Sequence, residues 1–137
     1  MNKKIPITIS SIGIFFSVLS IIFTLILFAN WGGPGQWKVG GDAVYFSAFV
    51  LFFLIYNVIA VVVFSNAEKD IKKYTFFGTL ICVNLVLLYH TYSLLMTITV
   101  KGDWGFLWWS FLTMFGIPIS LVVGGILGSI VTKIKNK

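Results

Sequence analysis

Apolar residues run along the chain in four long blocks, separated by short polar breaks. The blocks cover 5–29, 43–65, 75–100 and 105–131, and none contains a lysine, an aspartate or a glutamate. A helix needs about 20 predominantly apolar residues to cross a bilayer, and each block meets that length. The break between the second and third blocks, Asn66-Ala67-Glu68-Lys69-Asp70-Ile71-Lys72-Lys73, is short and charged, and the other two breaks are short as well. Neighbouring helices are therefore expected to be antiparallel. The pattern predicts an all-α integral membrane protein: one domain over 1–137, built as a compact bundle of four antiparallel transmembrane helices.

Lysine placement predicts the orientation, because cytoplasmic loops carry the excess of positive charge. With the N-terminus inside, Lys3, Lys4, Lys69, Lys72, Lys73, Lys133, Lys135 and Lys137 are cytoplasmic and only Lys38 and Lys101 face out. Both termini are then cytoplasmic, in a bacterial-type inner membrane. All five tryptophans (Trp31, Trp37, Trp104, Trp108 and Trp109) fall on the outer side. A belt of this kind serves as an interfacial anchor or as a surface for an apolar partner. The first block follows Met1-Asn2-Lys3-Lys4, which has the charge of a signal-peptide n-region. Its apolar stretch is too long for an h-region of about 7–15 residues, and Leu27-Phe28-Ala29 lacks a small-x-small cleavage pattern. It reads as an uncleaved first span.

Composition agrees with this reading. The 137 residues are 58% hydrophobic and 10% charged, with a mean hydropathy of +1.00. Soluble domains carry about 25% charge, so an ordinary water-soluble enzyme is excluded. The net charge of +6 comes from ten lysines against four acids, with no arginine. Arginine is the usual bidentate reader of bases and phosphates, and these lysines border apolar runs instead of sharing a face. No nucleic-acid partner is expected. Cys82 is the single cysteine, so an intramolecular disulfide and a cysteine zinc site are both excluded. No cofactor or metal is expected, and Cys82 itself reads as an inert thiol in an apolar run.

Candidate chemistry is sparse. Asp42 and Asp103 form the one carboxylate pair near the outer face, and paired carboxylates can share a proton and activate water. Each sits beside a lysine and glycines, in Lys38-Val39-Gly40-Gly41-Asp42 and Lys101-Gly102-Asp103, a weak internal echo between two loops. Solvated turn residues are the simpler reading. Gly32-Gly33-Pro34-Gly35 and Gly40-Gly41 lack the Gly-Lys-Ser/Thr of a phosphate loop and read as turns.

Helix packing is better marked. Gly116, Ser120, Gly124 and Gly128 recur every four residues in the fourth span, a ridge that lets another backbone approach closely. Ser10, Gly13, Ser17, Ser20 and Thr24 make a similar ridge on the first span. The two ridges are expected to pack spans one and four tightly, within one chain or between chains.

Three polar residues lie deep in the spans. Asn57 lies about 12 Å from the cytoplasmic end of span two and Asn84 about 14 Å from that of span three, at 1.5 Å per residue. At one level in a hairpin, they are expected to share an interhelical amide hydrogen bond. His90, about 15 Å from the outer end of span three, is expected to be neutral. Its predicted partner is the Met114 carbonyl, freed by Pro118, or the Ser20 hydroxyl. Two functions suit these features ahead of a third, an intramembrane hydrolase using Asp42 and Asp103. The first is a non-catalytic protein acting through helix–helix contacts in the bilayer with another membrane protein or with itself, as an accessory or immunity-type protein does. The second is a small oligomeric transporter or flippase with a polar path through Asn57, Asn84 and His90.

Overall fold

The computed structural model describes residues 3–30, 40–66, 72–99 and 105–135, with side chains placed over 3–26, 49–66, 73–96, 99 and 112–134. Four helices account for these residues: α1 (Lys4–Asn30), α2 (Gly40–Asn66), α3 (Lys72–Thr99) and α4 (Gly105–Lys135). All four are long and apolar enough to cross a membrane. At a rise of 1.5 Å per residue each is roughly 40 Å or longer, against about 30 Å for a hydrocarbon core. Apolar residues are spread around each helix instead of gathering in one stripe, as expected for helices with apolar surroundings.

The helices reach further than the apolar runs that predict them. Lys72 and Lys73 belong to the first turn of α3, and α4 continues to Lys135. Gly40, Gly41 and Asp42 open α2, which corrects the expectation that they form a turn. Intrahelical hydrogen bonding satisfies every backbone group it includes, so a helix extends past its apolar core until a stronger local signal stops it.

Helix α3 is the most buried of the four and α4 the least. Helix α1 packs on both α2 and α3, and α4 lies along α3. Two apolar clusters fill the space between. Phe53, Val83 and Leu87 form one, with Phe16, Ile117 and Leu121 against it. Ala60, Phe64 and Leu80 form the other, with Ile7, Phe76 and Phe77 around it. Leu121 is thus a packed residue and not an outward one.

The small-residue ridges do not meet each other. The ridge of α4 packs on α3. A Cβ added at Gly124 would lie 2.6 Å from the Gly78 carbonyl oxygen and from Thr79 Cα, and one at Gly128 would strike Tyr74 and Thr75 backbone. Gly78 is the reciprocal element, since a Cβ there would run into the Gly124 carbonyl. Gly116 is less tightly enclosed: a Cβ there would meet the Val86 side chain, with Cγ1 at 3.2 Å, and no backbone. The ridge of α1 faces α2 and α3 instead: Gly13 lies against Asn57 and Asn84, and Ser20 bonds to Thr91. Within the chain, the expected pairing of spans one and four is replaced by these two interfaces.

Candidate functional site

Hydroxyl groups in apolar surroundings need an acceptor, and most of these find one a turn back on their own helix. Ser10 donates to the Pro6 carbonyl, Ser17 to Gly13, Thr24 to Ser20, Thr91 to Leu87 and Ser93 to Tyr89. Such back-bonding leaves the oxygen lone pairs able to accept from a neighbouring helix. Thr91 already donates to Leu87, so the 2.7 Å contact between Ser20 and Thr91 has Ser20 donating, from α1 to α3. By the same logic Tyr56 donates to Thr79, which itself donates to the Phe76 carbonyl.

One level of the interior is built from three helices at Gly13, Asn57 and Asn84. Asn57 is fully buried and Asn84 nearly so. The Asn57 amide donates to its own helix at the Phe53 carbonyl, 2.9 Å away, which turns its oxygen towards α3. Asn84 Nδ2 donates to that oxygen at 3.0 Å and to the Leu80 carbonyl at 2.9 Å. The expected hydrogen bond between Asn57 and Asn84 is therefore formed. Gly13 makes room for it: a Cβ at that position would collide with both amide oxygens. Asn84 Oδ1 has no hydrogen-bond partner among the described residues.

An interhelical amide bond stabilises a membrane protein by about 0.6–2 kcal/mol, while an unsatisfied buried acceptor costs about 1–3 kcal/mol. These terms nearly cancel. Register is what the pair determines, because a shift of α2 against α3 by one residue separates the Asn84 amide from the Asn57 oxygen.

His90 lies at a second level and is 2% exposed. Its Nδ1 is 3.2 Å from Thr113 Oγ1 on α4, and its ring is 6.0 Å from that of Phe53 on α2. The predicted partners are corrected on both counts: Thr113 replaces the Met114 carbonyl, and Ser20 pairs with Thr91. His90 Nε2 has no hydrogen-bond partner among the described residues. Thr113, Thr91 and Gly78 were not singled out in the sequence. Thr91 lies two turns after Asn84 on one face of α3, and Thr113 lies three residues before Gly116 at the head of the α4 ridge, so both carried a periodic signal; Gly78, the single glycine of α3, carried none.

Asp42 opens α2, while Asp103, Lys38, Lys101, Trp31, Trp37 and Trp104 lie outside the described residues, as do the side chains of Trp108 and Trp109. Ser120 bonds back to the Ile117 carbonyl at 2.7 Å. Cys82 is a half-buried free thiol. Among the described residues no group of three His, Cys, Asp or Glu gathers as a metal site. No family model matches the chain, and neither curated proteins nor solved structures give a match.

Proposed function

We propose that this chain is a four-span protein of a bacterial-type cytoplasmic membrane, with both termini inside, which works without catalysis through helix contacts with other membrane proteins. Three observations support the placement. The four helices have spanning length. Lysines divide eight to two between the alternate ends of the blocks. The contacts Thr75–Ser129, Gly78–Gly124, Val86–Gly116 and His90–Thr113 advance along α3 while retreating along α4, as antiparallel neighbours do.

One observation carries the function. Several buried polar groups of the spans hold one helix to another, as in Asn84 to Asn57, Ser20 to Thr91 and Tyr56 to Thr79. A solute path would use such groups to wall a passage. What the molecule then offers its surroundings is helix surface, above all the outward flank of α4 with Ile119, Val122, Ile126 and Ile130. An accessory subunit and an immunity-type protector both act through surface of this kind.

Photo-crosslinking from Val122 and Ile126 in intact membranes tests the reading. It predicts one discrete protein adduct from these positions and none from the buried Ser17. Lipid adducts alone, together with solute flux in proteoliposomes, would favour the transporter. That second reading has a specific observation behind it, the two buried polar atoms Asn84 Oδ1 and His90 Nε2, which have no hydrogen-bond partner among the described residues.

A further inference from the structure

Helix α4 is held unevenly along its length. Towards its C-terminal end it is clasped backbone to backbone, with Gly124 against Gly78 and Thr79 and Gly128 against Tyr74 and Thr75. N-terminal to Ile117 the described contacts with α3 are of another kind. Gly116 faces the Val86 side chain, and Thr113 meets His90 through one hydrogen-bond contact of 3.2 Å, at the long end of the ordinary range. Thr113 is fully buried, whereas Leu112, Met114 and Phe115 around it are exposed.

Pro118 lies inside α4 at the boundary between the two regimes. It has no N–H for the Met114 carbonyl, and its ring crowds that oxygen, which opens the helix on the proline side. Ser120 bonds to the Ile117 carbonyl three residues back, and a serine bonded into its preceding turn also favours bending. Position gives the direction of the bend. Gly116 faces α3, and Pro118 is two residues further on, about 200° round the helix, exposed on the far side. A helix opened on its far side leans towards α3, which carries Thr113 to His90. The closed position also has a cost. His90 Nε2 is buried with no hydrogen-bond partner among the described residues, and an unmet buried polar atom weakens the arrangement that encloses it.

We infer that the part of α4 N-terminal to Pro118 is an arm, hinged at Pro118 and latched on α3 by the Thr113–His90 hydrogen bond. Once released, the arm swings off α3 and uncovers His90, while Gly78, Gly124 and Gly128 hold the rest of α4 in place. In the placement proposed above the arm lies towards the outer side, but the hinge does not depend on that placement.

The test measures distances between spin labels by pulsed electron paramagnetic resonance, on the full chain in lipid nanodiscs with Cys82 replaced by alanine. A label at Leu112 on the arm is paired in turn with Ile22 of α1 and Leu51 of α2. A reference label at Ile126 is paired with Ile5 and Val62. All six positions are exposed. Leu112 lies six residues from Pro118, about 9 Å of helix, so a change in bend of about 20° moves it by about 3 Å. Thr113→Val keeps the side-chain shape without the hydroxyl, and is expected to lengthen or broaden at least one Leu112 distance by about that amount. Both Ile126 distances are expected to stay as they are. His90→Leu releases the latch from the other side and is expected to act alike, whereas Thr113→Ser is expected to keep the wild-type distances. Adding Pro118→Ala to Thr113→Val restores the missing N–H, and is expected to narrow the Leu112 distributions again. Wild-type Leu112 distances in both release variants overturn the inference. Ile126 distances that change together with them overturn it too, since α4 then moves as one rod. Distributions that are as broad with Pro118→Ala as without it overturn the hinge.

Discussion

At the scale of single residues, the interior is organised by short polar side chains whose donors are committed and whose acceptors are not all used. Asn57 and Asn84 illustrate the consequence. Removing either leaves the other facing hydrocarbon with an unmet group, so Asn57→Leu and Asn84→Leu should each cost about 1–3 kcal/mol. The double variant should cost clearly less than their sum, because it removes both orphans at once. Thermal unfolding in detergent measures this, and additive shifts in Tm would show that the pair is not coupled. Gly13→Ala makes a sharper demand. Both amide oxygens that its Cβ would strike are held by hydrogen bonds or by packing, so the variant should lose about 1–3 kcal/mol from overpacking. Ala at Gly116, which would press on the Val86 methyl groups and on no backbone, should cost less than Ala at Gly13. His90 offers a functional division. His90→Gln keeps a donor for Thr113 but cannot titrate, and should preserve function across pH if the histidine braces α3 against α4. His90→Leu should lower stability. Activity lost in His90→Gln with stability intact would move weight to transport.

Elements obey a different constraint, the distance between backbones. Helices α3 and α4 approach closely because Gly78, Gly124 and Gly128 present no side chain at their contact. Gly124→Leu and Gly128→Leu should therefore separate the helices, and cysteine cross-linking between Thr75 and Ser129, which lie 3.4 Å apart at their hydroxyls, should be lost. Gly125 is the control: a Cβ there meets only Thr79 Cγ2 at 4.0 Å, and Gly125→Leu should leave the cross-link in place. The four helices were legible in the sequence because an unbroken apolar run of spanning length has few other uses. The level of each polar residue was legible too, since rise per residue is fixed. Facing was not. His90 and Thr91 are adjacent and so point about 100° apart around α3. One meets Thr113 on α4 and the other Ser20 on α1, a division no depth count supplies. The α4 ridge was visible from its period, but its partner was a lone glycine, Gly78, which periodicity cannot detect.

For the whole molecule, the decisive physical fact is the segregation of charge from apolar length. No lysine falls within an apolar block, and the described lysines lie where α1 and α3 begin and α4 finishes. Moving that end across a bilayer would carry several positive charges through hydrocarbon, at a cost of about 2.5–3.5 kcal/mol for each charge left at the centre of a span. The arrangement would favour a single orientation, the one in the proposed placement. Topology reporters fused at Gly35, Lys69, Gly102 and after Lys137 test it directly. Cytoplasmic signals at Lys69 and Lys137, with external signals at Gly35 and Gly102, are the predicted result. An external signal at Lys69 would contradict the orientation, and the four spans would have to be redrawn.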